Sequence, residues 1–202
     1  QAKWVAHKIN TNIIDGSVSR TNNFRVDSLI KTGSSEEKDY FTKSKSKSGK
    51  TIYDGFGYDR GHLAPSADFK WSKKALSESY FYSNMSPQSP EFNREGWAEL
   101  ESFLRSYIYE NKVELSIITG PILNSELSKI EKSINQISIP EYFFKIAIDL
   151  TNNKAIAFLM PNKKLDYPIE YYATNIDSLE KLTELDFNHL LNDNLEDKLE
   201  SQ

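Results

Sequence analysis

The chain has 202 residues, enough to bury a core, with 38% hydrophobic and 12% aromatic residues and no cysteine. Disulfides and thiolate metal sites are therefore excluded, and no apolar run reaches membrane-spanning length. The net charge of −4 is unevenly spread: residues 1–80 carry 14 basic against 9 acidic side chains and residues 81–202 carry 11 against 20, so the acidic total does not exclude a polyanionic ligand for the first half.

The chain begins at Gln1 rather than Met, as a processed N-terminus would, and the expectation is a secreted or periplasmic protein whose signal peptide has been removed. Residues 2–9 alternate as a strand does, with Trp4 and Ala6 on one side and Val5, His7 and Ile9 on the other. His7 is expected to be a half-buried strand histidine. Residues 10–16 read as a turn. Residues 20–27 read as irregular polar chain holding Arg20 and Arg25 near Phe24 and Val26.

Residues 43–50 interleave four lysines with serine and glycine, which predicts a flexible solvated loop. Lys45 and Lys47 suit a phosphate backbone there, and an ordinary charged loop would look the same. Residues 59–63 predict a short strand, 64–70 a loop, 72–79 one or two helical turns and 80–82 a buried strand. Pro87 and Pro90 predict a loop over 83–92.

From Asn93 the period becomes helical, with Trp97, Leu100, Phe103, Leu104, Tyr107 and Ile108 on an apolar stripe. Asn93, Trp97, Glu101 and Arg105 recur every four residues on another face, and Glu101 with Arg105 forms an i,i+4 pair in this reading. Strands are expected at 115–121, 141–149 and 154–159, the last two joined by a turn at 151–153. A helix is expected at 175–185, begun by Asn175 or Asp177 as cap, and the acidic tail is expected to fray after Asp193. No repeat or boundary interrupts the pattern, so 1–202 reads as a single domain.

The chemistry concentrates in Asp59-Arg60-Gly61-His62-Leu63 and the polar residues after it. In a strand, Arg60 and His62 project to one face. A guanidinium forks onto anionic oxygens and an imidazole moves a proton near neutral pH, so the pair suits a phosphate. A neutral amide oxygen such as that of Asn93 is a weak ligand for Mg²⁺. On one straight helix Glu101 would lie about 12 Å from Asn93, which favours a role through a metal-bound water unless Asn93 precedes the helix proper. Each residue alone has an ordinary structural reading; their concentration in one segment points to phosphodiester chemistry.

Asp59-Arg60-Gly61-His62-Leu63 followed by Ala67, then Ser83-Asn84-Met85-Ser86-Pro87-Gln88, then Asn93 with Trp97, Glu101 and Arg105, together resemble the signatures of the DNA/RNA non-specific endonuclease family (Serratia-type and endonuclease G-like). The resemblance implies an α+β fold with a central, mainly antiparallel sheet and a ββα-metal (His-Me finger) site. It implies His62 as general base and Asn93 as the direct Mg²⁺ ligand, with Mn²⁺ or another divalent ion as substitute. It further implies Glu101 holding a metal-bound water, Arg60 stabilising phosphate charge and Asn84 supporting the phosphate or the site geometry. Arg105 is a looser match. An arginine near Phe24 is expected at the phosphate, Arg20 rather than Arg25.

The expected activity is metal-dependent cleavage of DNA and RNA without strong sequence specificity, by a monomer or homodimer, with a protein inhibitor as partner if the chain is a toxin. A catalytically silent nucleic-acid-binding module and a phosphodiesterase for small esters are the alternatives. If His62 is the base, activity falls as pH drops through the histidine's titration range.

Overall fold

The computed structural model describes residues 1–13 and 16–201. Part of the turn predicted over 10–16 therefore lies outside the described residues. In chain order the strands are β1 (Val5–Ile9), β2 (Phe41–Lys45), β3 (Thr51–Gly55), β4 (Asp59–His62), β5 (Met85–Gln88), β6 (Leu115–Pro121), β7 (Tyr142–Asp149), β8 (Lys154–Pro161) and β9 (Ala173–Thr174). The helices are α1 (Lys73–Glu78), α2 (Pro90–Arg94), α3 (Gly96–Asn111), α4 (Ile176–Thr183) and α5 (Asp193–Glu200).

The centre is a five-stranded antiparallel sheet in the order β1-β6-β7-β8-β9. β7 is its middle strand, and its side chains alternate between two cores. Phe143 and Ala147 face α3, where Trp97, Leu100, Leu104 and Ile108 meet Ile117 of β6 and Phe158 of β8. Phe144, Ile146 and Ile148 face the other way, against Ile176 and Leu179 of α4 and Leu199 of α5. Burial on both faces explains why β7 reads as a continuous apolar run rather than an alternating one. Each fully buried Leu or Phe in these cores contributes about 1.5–3 kcal/mol. Two charged side chains are buried on β7: Asp149 at its end, where Tyr107 donates to it, and Lys145, which at 1% exposed sits at an apolar position of the α3 face.

β4 and β5 form a separate antiparallel pair, with Asp59 opposite Gln88 and His62 opposite Met85. With α2 and α3 following, they make a ββα unit beside the main sheet. Gly61 is required by this pairing: a Cβ there would lie 2.0 Å from Gln88 Oε1. Gly96 is required for a similar reason, since its Cβ would lie 2.2 Å from Leu165 Cδ1.

The helix expected from Asn93 is two helices. Asn93 belongs to α2, and the backbone breaks at Glu95 (φ −111°, ψ −95°) before α3 starts at Gly96. Phe103, counted with the apolar stripe, is 43% exposed because it falls off the face that carries Trp97, Leu100 and Leu104. Residues 83–92 are not a loop. Pro87 sits in β5, where a two-stranded ladder tolerates its missing N–H, and Pro90 occupies the first turn of α2 behind the Ser89 cap. Residues 80–82 do not form a strand, although Tyr80 and Tyr82 are buried; Tyr82 opens a 3₁₀ turn over Tyr82–Asn84.

Of residues 43–50, expected to be a loop, 46–50 form the turn of the β2–β3 hairpin, while Lys43, Ser44 and Lys45 are the end of β2. Serine and lysine alternation is also what a strand wet on both faces looks like. The tail past Asp193 forms α5 and buries Leu199.

Gly61→Ala should lower stability by about 1–3 kcal/mol through overpacking. Adding Gln88→Ala should return most of that loss, and urea denaturation of the two single variants and the double variant measures the coupling. Additive losses would show that the Gly61–Gln88 contact does not constrain the pair.

Candidate active site

β4, the loop after it, α2 and α3 enclose a polar cleft of about 540 Å³ lined by Arg20, Phe24, Arg60, His62, Asn93 and Glu101 among others. Strand alternation delivers Arg60 and His62 to the cleft while Gly61 turns toward Gln88. The Arg60 guanidinium lies 3.6 Å from the Phe24 ring centroid and 5.1 Å from that of Phe41. Stacking of this kind fixes the plane of the guanidinium while leaving its N–H edge available to anionic oxygens.

His62 is buried between aromatic rings. Tyr80 meets it edge-on at 5.0 Å and Phe24 lies at 5.8 Å. Its Nε2 has no hydrogen-bond partner among the described residues. Burial, reinforced by the charges of Arg20 and Arg60, pushes its pKa from the ordinary 6.5 down to about 3. The imidazole is therefore neutral throughout the physiological range.

Tyr80 does more than wall the ring. Its hydroxyl accepts from Arg20 Nε at 3.1 Å and donates to Ser66 Oγ at 3.4 Å, which holds Arg20 at the cleft. Arg25 does not line the cleft. Its Nη1 donates to the carbonyls of Asn23 and Ser77, and its guanidinium rests 4.0 Å from the Phe81 ring centroid.

Asp59 is the brace between strand and helix. It accepts from Arg94 Nε at 2.8 Å and Nη2 at 2.7 Å, and from Asn93 Nδ2 at 2.9 Å. Spending the Asn93 amide nitrogen on Asp59 leaves Asn93 Oδ1 without a protein partner among the described residues. The Glu101 carboxylate also makes no hydrogen bond within the protein there. Burial pushes its pKa up, with Asp68 adding to the effect and the charges of Lys145, Arg105 and Arg20 opposing it. An amide oxygen and a carboxylate, both unclaimed and both on the cleft, form a hard-oxygen donor set of the kind Mg²⁺ takes. The break at Glu95 removes the straight-helix separation that had kept these two residues apart.

Arg105, Lys45 and Lys47 sit outside the cleft lining, and Asn84 serves the site geometry rather than a phosphate. Asn84 is buried, and its amide is consumed by backbone: Nδ2 donates to Ala64 O and Ser79 O at 2.8 Å each, and Oδ1 accepts from Ala64 N at 2.9 Å. It fixes the loop that follows His62 and presents nothing to a phosphate. Arg105 does not pair with Glu101. It donates to Asp68 Oδ1 at 3.1 Å and to Ser102 Oγ, and Asp68 Oδ2 faces His7 Nε2 at 3.0 Å. That network, with His7 half-buried on β1, lies behind the cleft rather than in its lining. Lys45 and Lys47 stand on the hairpin, also outside the lining.

Sequence reading missed Asp59, Tyr80, Asp68 and Lys145 as parts of the site. Lys145 Nζ donates to Thr119 Oγ1 at 2.8 Å and to Leu63 O at 3.4 Å, and lies 4.5 Å from the Trp97 ring centroid. Its burial pushes its pKa down while the nearby Glu101 charge opposes that shift. The one available signal was a lysine inside an otherwise apolar strand.

A family model described as DNA/RNA non-specific endonuclease matches residues 1–194. A nuclease from Nostoc sp. is 32% identical over 213 residues, covering 100% of this chain and 72% of that protein. Mitochondrial endonuclease G from Bos taurus is 33% identical over 67% of this chain and 49% of that protein, and the mitochondrial nuclease of Saccharomyces cerevisiae is 34% identical over 64% and 46%. The chain thus spans about half the length of several relatives it matches. A crystal structure of an EndoG/EndoGI complex superposes with a TM-score of 0.75 over 94% of this chain and 79% of that one, at 24% identity, a likeness of fold.

The titration of His62 follows from its surroundings. Its ring resonances in an NMR titration should stay those of neutral imidazole from pH 8 down to about pH 5. Because the unfolded histidine takes up a proton that the folded one refuses, stability should decline as pH falls below 6.5, by at most about 1.4 kcal/mol per pH unit from this group. A His62 midpoint above pH 6 would contradict the burial argument.

Proposed function

The chain belongs to the DNA/RNA non-specific endonuclease family, and from that premise we propose that it hydrolyses internal phosphodiester bonds of DNA and RNA with a divalent metal ion, Mg²⁺ by the chemistry of its donors. The observation that carries this reading is a neutral, buried imidazole flanked by two arginines in one cleft with two unclaimed oxygen donors.

Arg20 and Arg60 bind the non-bridging oxygens of a phosphate, and their positions are fixed beforehand by Tyr80 and Phe24. His62 accepts a proton from the attacking water. The new bond forms between the water oxygen and phosphorus, and the bond from phosphorus to the departing sugar oxygen breaks. A base held neutral by two adjacent cations would be a weak one in the free protein. The bound phosphate supplies negative charge that offsets Arg20 and Arg60, so His62 becomes more basic when substrate is in place. Asn93 Oδ1 would ligate the ion directly and Glu101 would hold it through water. Asp59 keeps Asn93 oriented. The ion, when bound, polarises the phosphoryl group and stabilises the departing oxygen. None of these contacts reads a base edge, in keeping with weak sequence preference.

Circular plasmid DNA and a long RNA should both be cut by the wild-type chain with Mg²⁺ and spared in excess chelator. His62→Ala should lower kcat by about 10²–10⁴-fold. Asn93→Ala should raise the Mg²⁺ concentration needed for half-maximal activity. Hydrolysis of small phosphate esters with circular DNA left intact would assign the cleft to a phosphodiesterase of another substrate class. DNA binding without any cleavage would make the chain a binding module.

A further inference from the structure

The β2–β3 hairpin is a feature of the basic half that the cleft does not absorb. It is mostly solvent-exposed along both strands, a condition in which an isolated two-stranded ribbon has little stability of its own. Its base is anchored. Phe41 packs against Tyr53 at 5.3 Å in an edge-to-face contact, and Phe56 N donates to Tyr40 O. Phe41 is also one of the two rings beside the Arg60 guanidinium, so the hairpin springs from the rim of the cleft. From Phe41 to the turn at Ser46 the strand covers about 15 Å.

Charge on the far half of this arm is one-sided; the arm's one carboxylate, Asp54, stands at the base opposite Thr42 and faces Lys132 at 4.0 Å. Lys43 is neutralised by Glu37 at 2.6 Å. Lys45 Nζ bonds only the uncharged Thr51 hydroxyl, and the ammonium groups of Lys47 and Lys50 have no partner among the described residues; Lys50 bonds Ser46 through its backbone alone. No acidic residue lies between Thr42 and Tyr53, although the whole chain is acidic. Three uncompensated ammonium groups at the far half of a projecting ribbon set up a local positive field that suits an external polyanion. Lysines are point charges without the fork that reads a base edge, and they suit backbone phosphates.

We propose that the hairpin is a second contact surface for the same polynucleotide whose phosphodiester lies in the cleft. It engages the sugar-phosphate backbone several nucleotides from the scissile bond through Lys45, Lys47 and Lys50. This rests on the endonuclease reading. The arm gives the protein a preference for long substrates over short ones and makes binding strongly salt-dependent, without adding sequence specificity.

The test uses the full chain carrying His62→Ala, so that a 30-base-pair duplex is bound but not consumed, and follows affinity against salt concentration. The variant K45Q/K47Q/K50Q, on this background, should reduce the slope of log K against log salt by about 2–3, because each neutralised phosphate adds about 0.9 to that slope. The variant K154Q/K164Q/K181Q makes the same change in net charge at exposed sites away from the hairpin and should keep the parent slope. With His62 intact, the hairpin variant should lose at least ten times more kcat/KM on the duplex than on a dinucleotide. Thermal unfolding checks that each variant is folded. Equal slopes for the two triple variants, or equal losses on the long and short substrates, would overturn the hairpin assignment while leaving the cleft untouched. A parent chain that cuts no polynucleotide would instead defeat the endonuclease reading on which it stands.

Discussion

The site depends on keeping an uncharged imidazole between two guanidinium groups. In water that neighbourhood would merely disfavour the protonated ring. Under Tyr80 and Phe24, with Nε2 cut off from solvent, desolvation and the charges of Arg20 and Arg60 act in the same direction. The same rings that desolvate His62 also place the cations, since Phe24 supports Arg60 and Tyr80 holds Arg20. One aromatic wall thus sets both the protonation state of His62 and the positions of the two guanidinium groups.

The ββα unit brings this wall to the side of the cleft that carries Asn93 and Glu101 through two polar braces. Asp59, the residue that opens β4, ties Asn93 and Arg94 of α2 to the strand. Asn84, just ahead of β5, ties down the loop that leaves His62. Behind them Lys145 crosses from the central sheet to Leu63 O, so the sheet core and the site share a buried polar contact. Charge is partitioned by the same architecture. The acidic helices α4 and α5 cover the sheet face opposite α3, while the hairpin and the cleft arginines stand on the basic half. A chain of net charge −4 can therefore present a local positive field to a polyanion.

Much of this was legible in the residues. The period of two in β4 placed Arg60 and His62 together, and the period of 3.6 in α3 and the apolar runs of β6, β7 and β8 found the main core. What stayed hidden depended on tertiary partners. Pro87 and Pro90 signal a loop unless one knows that the first lies in a two-stranded edge and the second begins a helix. The turn between α2 and α3 leaves only Gly96 as a trace, and the side chain that demands a glycine there, Leu165, is far along the chain. Arg105 looked paired with Glu101 at helical spacing, but Asp68, distant in sequence and close in space, claims it. Alternating lysine and serine fits a loop and a wet strand equally well, which is why the hairpin could not be told from a linker.

The central claim, that His62 serves as a neutral proton acceptor, is tested most directly by chemical rescue. His62→Gly opens a space beside Phe24 and Tyr80 that free imidazole can enter. The account predicts that added imidazole restores plasmid cleavage in the presence of Mg²⁺, and that the rescue grows with pH as imidazole loses its proton. Rescue that grows as imidazole gains its proton, or a His62→Gly chain that cuts as fast as the wild type without imidazole, would contradict it.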